Sequence, residues 1–332
     1  MADRLVDRYD AFLLVSFGGP EKNEDVIPFL ENVLRGKNVP RERMLEVAEH
    51  YYHFDGVSPI NEQCRQLIAA LKAEFAGHGV GLPIYWGNRN WDPMLEDTVR
   101  QMRDDGVTRV LAFATSAFGS YSGCRQYRED IARAQAAVEG APEIVKLRPF
   151  WQHPGFVEAV TERVREALET LPGAEVVYTA HSIPVSMAAS SPYEQQLRAV
   201  CQIVNDSLQL PAPVLVFQSR SGPPTQPWLE PDVSDYIRGM TGKKVVVVPV
   251  GFLSDHMEVM FDLDTEAAQA AAECGIGFVR AGTVGTHPRF VRGIREMVQA
   301  AQVAELPSLC PVDCCLPGTR PTRPAAAVEI SK

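Results

Sequence analysis

The sequence predicts an α/β fold of two doubly wound domains, each built on a parallel sheet, with a cleft between them. Three observations predict it. Apolar, β-branched runs of strand length alternate with amphipathic helical patterns along the chain. Buried strands joined by helices are typical of parallel sheets that are covered on both faces. The length of 332 residues is suited to about two domains of ordinary size.

Eight segments have the composition of buried strands. They are residues 11–17, 83–88, 109–117, 143–150, 175–182, 213–219, 244–252 and 276–282. Helical patterns lie between them, for example over 154–171 and 192–210. A second series of strand, polar loop and helix begins near Pro154. We therefore predict an N-terminal domain over 1–153, a C-terminal domain over 154–306 and a Pro-rich tail over 307–332.

Composition limits the classes of partner. The net charge is −10 and the pI is near 5.3, which disfavours binding to nucleic acid or to an anionic membrane surface. No apolar run approaches the roughly 18 residues of a membrane span, and the first ten residues are too polar for a signal peptide. We expect a soluble cytoplasmic protein.

Ligands of doubly wound sheets bind beyond the carboxyl ends of the strands. The segments there hold aromatic residues, arginines, histidines and acids, which suit a flat apolar ligand with carboxylates and a cation. Arg89 can pair with a carboxylate and Trp228 can form a flat wall. The alternatives are a surface ion pair and a core tryptophan.

Acidic residues are concentrated after the seventh strand, in SDHMEVMFDLDTEAA. With Ser254 as helix cap, Glu258, Asp262 and Glu266 recur every four residues, each about 40° further round an α-helix. The alternative is a solvated helix face. No lysine or arginine stands four residues away to neutralise the stripe, which favours a weak path for a divalent cation.

His181 ends the strand in YTAHSIP. Its imidazole can take up protons near neutral pH, so it is a candidate base. The alternative is a histidine with only structural hydrogen bonds. His256 lies on another side of the acidic helix and is expected to be structural. Neither a phosphate loop nor G-x-G-x-x-G is present, so a nucleotide enzyme is disfavoured.

Three cysteines fall within six residues of the Pro-rich tail, in CPVDCC. Core packing explains one buried cysteine well but three clustered ones poorly. Cys310, Cys314 and Cys315 therefore indicate a metal or cluster site, with inert thiols and a redox disulfide as the alternatives.

Five segments resemble the ferrochelatase family in family order: LLVSFGGP, YWGNRNWDPMLEDTV, YTAHSIP, FQSRSGPPTQPWLEPDV and VVPVGFLSDHMEVMFDLD. The resemblance covers about residues 11–300. It implies insertion of ferrous iron into a porphyrin by two Rossmann-like, chelatase-type domains. His181 and Glu258 match the two central residues. Asp262 and Glu266 match an acidic line that typically lies on a π-helix, and Arg89 and Trp228 match porphyrin-pocket positions.

We also hypothesise a geometry for the reaction, although the sequence leaves the face of iron entry open. His181 would accept pyrrole protons on one face of the porphyrin. The carboxylates of Glu258, Asp262 and Glu266 would guide iron or conduct protons on the other face. Phe17 stands where some relatives have a tyrosine that ligates the product iron. Tyr121 is the nearest substitute here, with Tyr127 as the alternative.

Some ferrochelatases carry a [2Fe–2S] cluster on one internal cysteine and three near the C-terminus. Cys124 matches the internal position, and Cys310, Cys314 and Cys315 supply the others. The adjacent pair resembles the actinobacterial pattern. Cys64, Cys201 and Cys274 are then expected to be ordinary buried thiols.

The lineage resemblance implies coproporphyrin III as the porphyrin and a monomeric enzyme. Three alternatives stay open: a protoporphyrin IX ferrochelatase, a cobalt-inserting tetrapyrrole chelatase, and a non-catalytic haem carrier.

Overall fold

Two four-stranded parallel sheets form the framework of the protein. The computed structural model describes residues 8–37, 39–222, 225–304, 310–311 and 313–318. The first sheet has the order β2-β1-β3-β4, with β1 Ala11–Ser16, β2 Ile84–Asn88, β3 Arg109–Ala114 and β4 Glu143–Lys146. The second has the order β6-β5-β7-β8, with β5 Glu175–His181, β6 Val214–Gln218, β7 Lys244–Val248 and β8 Gly277–Arg280. The predicted α/β fold with parallel sheets is confirmed.

All eight predicted strand segments contain a strand, and several end earlier than predicted. The segment 244–252, for example, leaves the sheet after Val248, because Pro249 has no N–H to donate to a neighbouring strand. The residues that follow belong to the loops at the carboxyl edge.

Helices connect the strands. They are α1 Asn23–Leu34, α2 Arg41–Tyr52, α3 Ile60–Gly77, α4 Leu95–Asp104, α5 Gln126–Ala137, α6 Pro154–Thr170, α7 Val185–Ala189, α8 Tyr193–Leu208, α9 Val233–Gly239, α10 Met257–Val259, α11 Ala268–Glu273 and α12 Pro288–Val303. Two π-helices, Tyr121–Arg125 and Met260–Ala267, follow β3 and α10.

Each sheet is covered on both faces because its strands alternate their side chains between two cores. Phe12 of β1 and Tyr178 of β5 belong to one large core that is shared by the two sheets. Leu13 of β1 and Val177 of β5 belong to separate outer cores. The two sheets are therefore joined by a common hydrophobic layer.

The C-terminal helix also connects the two parts of the fold. α12 packs on both α3 and α6, and its Arg295 Nε lies 2.9 Å from Glu74 Oε1 of α3. The predicted boundary between residues 153 and 154 stays a prediction. Of the predicted tail over 307–332, residues 310–311 and 313–318 are described and the others lie outside the described residues.

Gly251 lets the loop after β7 pass close to β5. An added Cβ would lie 2.6 Å from Ala180 Cβ and 2.8 Å from Ala180 Cα, and a strand backbone in the core cannot move aside. We expect Gly251→Ala to lower the free energy of unfolding by about 2 kcal/mol, measured by urea denaturation. Gly239→Ala is the control, because nothing lies within 4 Å of its added Cβ. Equal stability of the two variants would contradict the close approach.

Candidate active site

His181 and Glu258 form a direct ion pair at the carboxyl edge of the second sheet. His181 is the last residue of β5, and Glu258 lies in α10 after the neighbouring strand β7. His181 Nε2 lies 3.3 Å from Glu258 Oε1. The ring is oriented by Nδ1–H, which donates to the Ser182 carbonyl. The Tyr193 hydroxyl donates to the His181 carbonyl at 3.0 Å.

The two partners hold each other in their charged forms. Burial disfavours the imidazolium of His181, but the Glu258 carboxylate outweighs it and raises the pKa of His181 to about 9. Burial likewise disfavours the carboxylate of Glu258, but His181 and then His256 lower its pKa to about 2. At neutral pH the pair is therefore an imidazolium facing a carboxylate. The side chains are 30% and 45% exposed, so a ligand can reach them.

The contact corrects the predicted geometry. The sequence placed His181 on one face of the porphyrin and Glu258 on the other. A separation of 3.3 Å leaves no space for a ring between them. The prediction of opposite faces is wrong, because the loop after β7 packs on β5 at Ala180 and brings the start of α10 next to the end of β5.

The acidic residues lie on a π-helix that begins just after Glu258. Met260–Ala267 carries Asp262 and Glu266, as the family resemblance implied. The predicted α-helical geometry and the predicted Ser254 cap are wrong. The cap is His256, whose Nδ1 accepts from the backbone N–H of Glu258 at 3.2 Å. His256 thus fixes the start of the helix next to the ion pair.

The carboxylates form a line from the ion pair outward. Burial raises the pKa of Asp262 to about 7, helped by Glu258 and Glu266 and opposed by a hydrogen bond from Ser219. Partial burial, and then the nearby Asp232 carboxylate, raise the pKa of Glu266, although its side chain is still exposed to solvent. The nearby Arg280 pairs instead with Asp255, at 2.9 Å, and with Asp264. The Arg280 charge is therefore paired with Asp255 and Asp264, which are not members of the line.

Gln218 is a supporting residue that the sequence analysis missed. This buried last residue of β6 donates from Nε2 to the Glu258 carbonyl at 2.7 Å. Its Oε1 accepts from Thr179 Oγ1 at 2.9 Å, and its carbonyl accepts from the Ser182 N–H at 2.7 Å. Gln218 therefore ties β5 to the helix start. The sequence feature that could have identified Gln218 is an amide side chain at the end of a buried strand, where it needs hydrogen-bond partners.

A second group of predicted residues lies at the first sheet. The Arg89 guanidinium is buried, pairs with Asp130, and lies 4.6 Å from the Tyr127 ring centroid and 5.7 Å from that of Phe17. The Tyr121 hydroxyl donates to Glu129 Oε2 at 3.2 Å. The structure brings Arg89, Tyr127 and Phe17 together, with the arginine's charge balanced by Asp130.

Trp228 lies beside the segment that follows His181. It forms a β-bridge with Pro184. Its ring covers Gly222, where an added Cβ would lie 2.2 Å from Trp228 Cζ2. Gly222 is thus required by the close approach of the indole.

α2 covers the π-helix, a contact that the sequence analysis also missed. The ring of His50 stacks on Phe261 with 3.8 Å between centroids and 9° between planes. Neighbouring Tyr51 has its pKa raised by burial and by Glu258. Residues of the first part of the chain therefore complete the surroundings of the ion pair.

The four predicted cluster cysteines lie together. Cys124, Cys310, Cys314 and Cys315 line one cavity of about 520 Å³, and the last two sulfurs are 3.4 Å apart. Burial, then Cys314, Cys124 and Cys310, raises the pKa of Cys315 to about 12. In this form the described residues contain no group of three or more His, Cys, Asp or Glu side chains arranged to hold a metal ion.

The other three cysteines divide into two classes. Cys64 and Cys201 are buried as predicted, whereas Cys274 is exposed, so the prediction of a buried thiol is wrong there. Cys274 follows the last turn of α11, which ends at the surface.

The two parallel four-stranded sheets form a Rossmann-like fold that is found in chelatases of known structure. The solved structure of sirohydrochlorin chelatase SirB from Bacillus subtilis subspecies spizizenii in complex with cobalt has this fold. It matches with a TM-score of 0.54 and 14% identity, covering 88% of this chain and 95% of that chain.

The chain belongs to the ferrochelatase family, whose model matches residues 9–302. It is 57% identical to the ferrochelatase of Rhodopirellula baltica, over 96% of each chain. It is 48% identical to the coproporphyrin III ferrochelatase of Nocardia farcinica, over 94% of this chain and 98% of the relative. Within the described residues, no helix has the length and apolar character needed to cross a membrane.

Glu258→Gln removes the carboxylate that keeps His181 protonated. We expect the pKa of His181 to fall from about 9 toward the ordinary value of about 6.5, followed by NMR titration of its ring. Glu266→Gln is the control, since Glu266 is not among the groups that shift His181. An unchanged His181 pKa in Glu258→Gln would show that the ion pair does not exist in solution.

The same pair affects stability. Folding raises the pKa of His181, so protonation of His181 stabilises the folded state. This stabilisation is fully present below the pKa of the unfolded chain, about 6.5, and is lost as pH rises through about 9. The free energy of unfolding of the wild type should therefore fall more steeply across that window than that of Glu258→Gln.

Proposed function

We propose that this protein inserts ferrous iron into coproporphyrin III and so makes coproheme. The observation that carries the proposal is the His181–Glu258 pair at the inner end of the line formed by Asp262 and Glu266. The names of relatives support the substrate, since several that are about half identical over most of the chain are coproporphyrin III ferrochelatases.

The reaction defines what the site must do. A free-base porphyrin carries two N–H protons at its centre, so each Fe²⁺ that enters releases two protons. The planar ring shields its nitrogens. Binding energy at the ring periphery can bend the macrocycle and expose the nitrogen lone pairs. The site must then accept protons and supply iron from weak ligands.

The ion pair acts as the proton acceptor in this proposal. At neutral pH Glu258 is ionised and His181 already holds a proton, because their pKa values are about 2 and about 9. Glu258 is therefore the group able to accept the first pyrrole proton. His181 becomes a base after its own proton has passed along the carboxylate line, through Asp262 and Glu266, to solvent. The proposal thus adds proton acceptance by Glu258 to the predicted role of His181 as a base.

The carboxylate line serves protons and iron. Asp262, with a pKa of about 7, exchanges protons readily at neutral pH. Asp262 and the exposed Glu266 supply hard oxygen ligands that can bind ferrous iron weakly and release it. The line thus connects the surface with the place where metal and protons are exchanged.

The proposal is tested by assaying Fe²⁺ and Co²⁺ insertion into coproporphyrin III and protoporphyrin IX side by side. We expect the highest kcat/KM for Fe²⁺ with coproporphyrin III. A preference for protoporphyrin IX would favour the alternative substrate. A preference for Co²⁺ would favour a cobalt chelatase, and the absence of insertion would favour a carrier.

His181→Ala should lose about 10²-fold in kcat while still binding porphyrin. His78→Ala, at an exposed histidine, is the control.

We also propose that Cys124, Cys310, Cys314 and Cys315 hold a [2Fe–2S] cluster. The donor set fits, because four thiols reach one cavity and such clusters take four thiolates. The raised pKa of Cys315 means that its thiol must lose a proton as metal binds. The cluster would supply a covalent link between the tail and the first π-helix.

Anaerobically purified protein should show visible charge-transfer absorption and contain iron and sulfide, and Cys124→Ser should abolish both. Cys274→Ser, at an exposed thiol outside the group, should leave them unchanged. Colourless, iron-free wild-type protein would rule the cluster out. The cytoplasmic location and the monomeric state stay predictions from the sequence.

A further inference from the structure

α7 follows His181 directly across Ser182–Pro184, yet it has little packing of its own. None of its five residues is buried, and only Met187 and Ala188 pack partly against the core. A helix of one turn is not stable by itself. Its position must therefore be set by neighbouring elements.

One neighbour is the C-terminal strap, which we define as residues 313–318. The Ser190 hydroxyl at the end of α7 donates to the Leu316 carbonyl at 3.0 Å. Gly318, with φ of +70°, lies against the start of α7. A Cβ added there would come within 2.9 Å of Ser186 Oγ and 3.1 Å of Met187 N. The strap thus contacts both ends of α7.

The other end of the strap is held by the first π-helix. Arg125 of that helix donates from Nη1 to the Cys314 carbonyl at 3.0 Å. Ser122 of the same helix also reaches α7 directly, with its hydroxyl 3.9 Å from Met187 Sδ. The strap therefore links the first π-helix, which follows β3, to α7, which follows His181.

The loop between His181 and α7 is fixed on its opposite side. The Ser182 N–H donates to the Gln218 carbonyl at 2.7 Å, and its hydroxyl donates to the Leu229 carbonyl at 2.8 Å. Pro184 bridges to Trp228. The strap supplies the contacts at the α7 end of this loop.

We propose that the C-terminal strap is a positioning element for the proposed iron-insertion reaction. It holds α7 against the first π-helix and thereby keeps the Ser182–Pro184 loop, which follows His181, in place. Only the activity readout of the test rests on the proposed function. Docking of the strap is measured independently.

The first test compares two adjacent serines by amide hydrogen exchange of residues 185–191 in the full-length protein. The Ser190 and Ser191 hydroxyls both lie 3.0 Å from the Met187 carbonyl, but only the Ser190 hydroxyl also lies within hydrogen-bond distance of the strap, 3.0 Å from the Leu316 carbonyl. We expect Ser190→Ala to exchange about fivefold faster than Ser191→Ala, from the loss of one hydrogen bond between elements.

The second test compares two glycines with similar backbone angles. Gly318→Ala adds a methyl that meets α7, whereas Gly173→Ala, at φ of +75°, has nothing within 4 Å of the added methyl. Both carry the strain of a positive φ, so their difference reports the contact. We expect faster exchange in α7 for Gly318→Ala alone.

The activity readout separates positioning from general stability. Ser190→Ala and Gly318→Ala should lose about three- to tenfold in kcat for iron insertion, with KM for porphyrin unchanged. Equal exchange in variants and controls would overturn strap docking. Faster exchange with unchanged kcat would overturn the positioning of His181. If the wild type inserts no iron, the proposed function fails, and the exchange comparison still decides whether the strap holds α7.

Discussion

The ion pair between His181 and Glu258 is the contact on which the site depends. Each charge alone would be costly in a crowded pocket, and the pairing at 3.3 Å offsets that cost. His181 ends β5, and Glu258 lies in α10 after the adjacent strand β7, so the fold of this segment sets their distance before any ligand binds. Gln218 and His256 then hold the start of the helix that carries Glu258.

Widely different proton affinities follow from this arrangement. Glu258 has a pKa of about 2, Asp262 of about 7 and His181 of about 9. The cause is position: Glu258 faces a cation, whereas Asp262 is buried among other carboxylates. Proton acceptors of such different strength on one short path suit a reaction that releases two protons. The weak carboxylate ligands of the same path suit a metal that must be passed on.

The environment of the pair comes from the whole chain. The His50 ring stacks on Phe261 of the second π-helix, Gln63 accepts from the Asp255 N–H at 2.8 Å, and the strap reaches α7. Residues of α2 and α3, which precede β2, and of the strap, which follows α12, thus meet around the second sheet. These contacts connect the cysteine-bearing tail, through α7, with the Ser182–Pro184 loop that follows His181.

The sequence by itself determined the alternation of strands and helices, and with it the parallel sheets, because periodicity and β-branched composition are local properties. Its motifs also identified His181, Glu258 and the acidic residues. Only the tertiary structure decided that His181 and Glu258 lie on the same side, since their distance depends on strand order. It likewise revealed Gln218, the exposure of Cys274, and the pairing of Arg89 with Asp130. Those contacts join residues far apart in the chain, and no local pattern specifies which distant partner a side chain will meet.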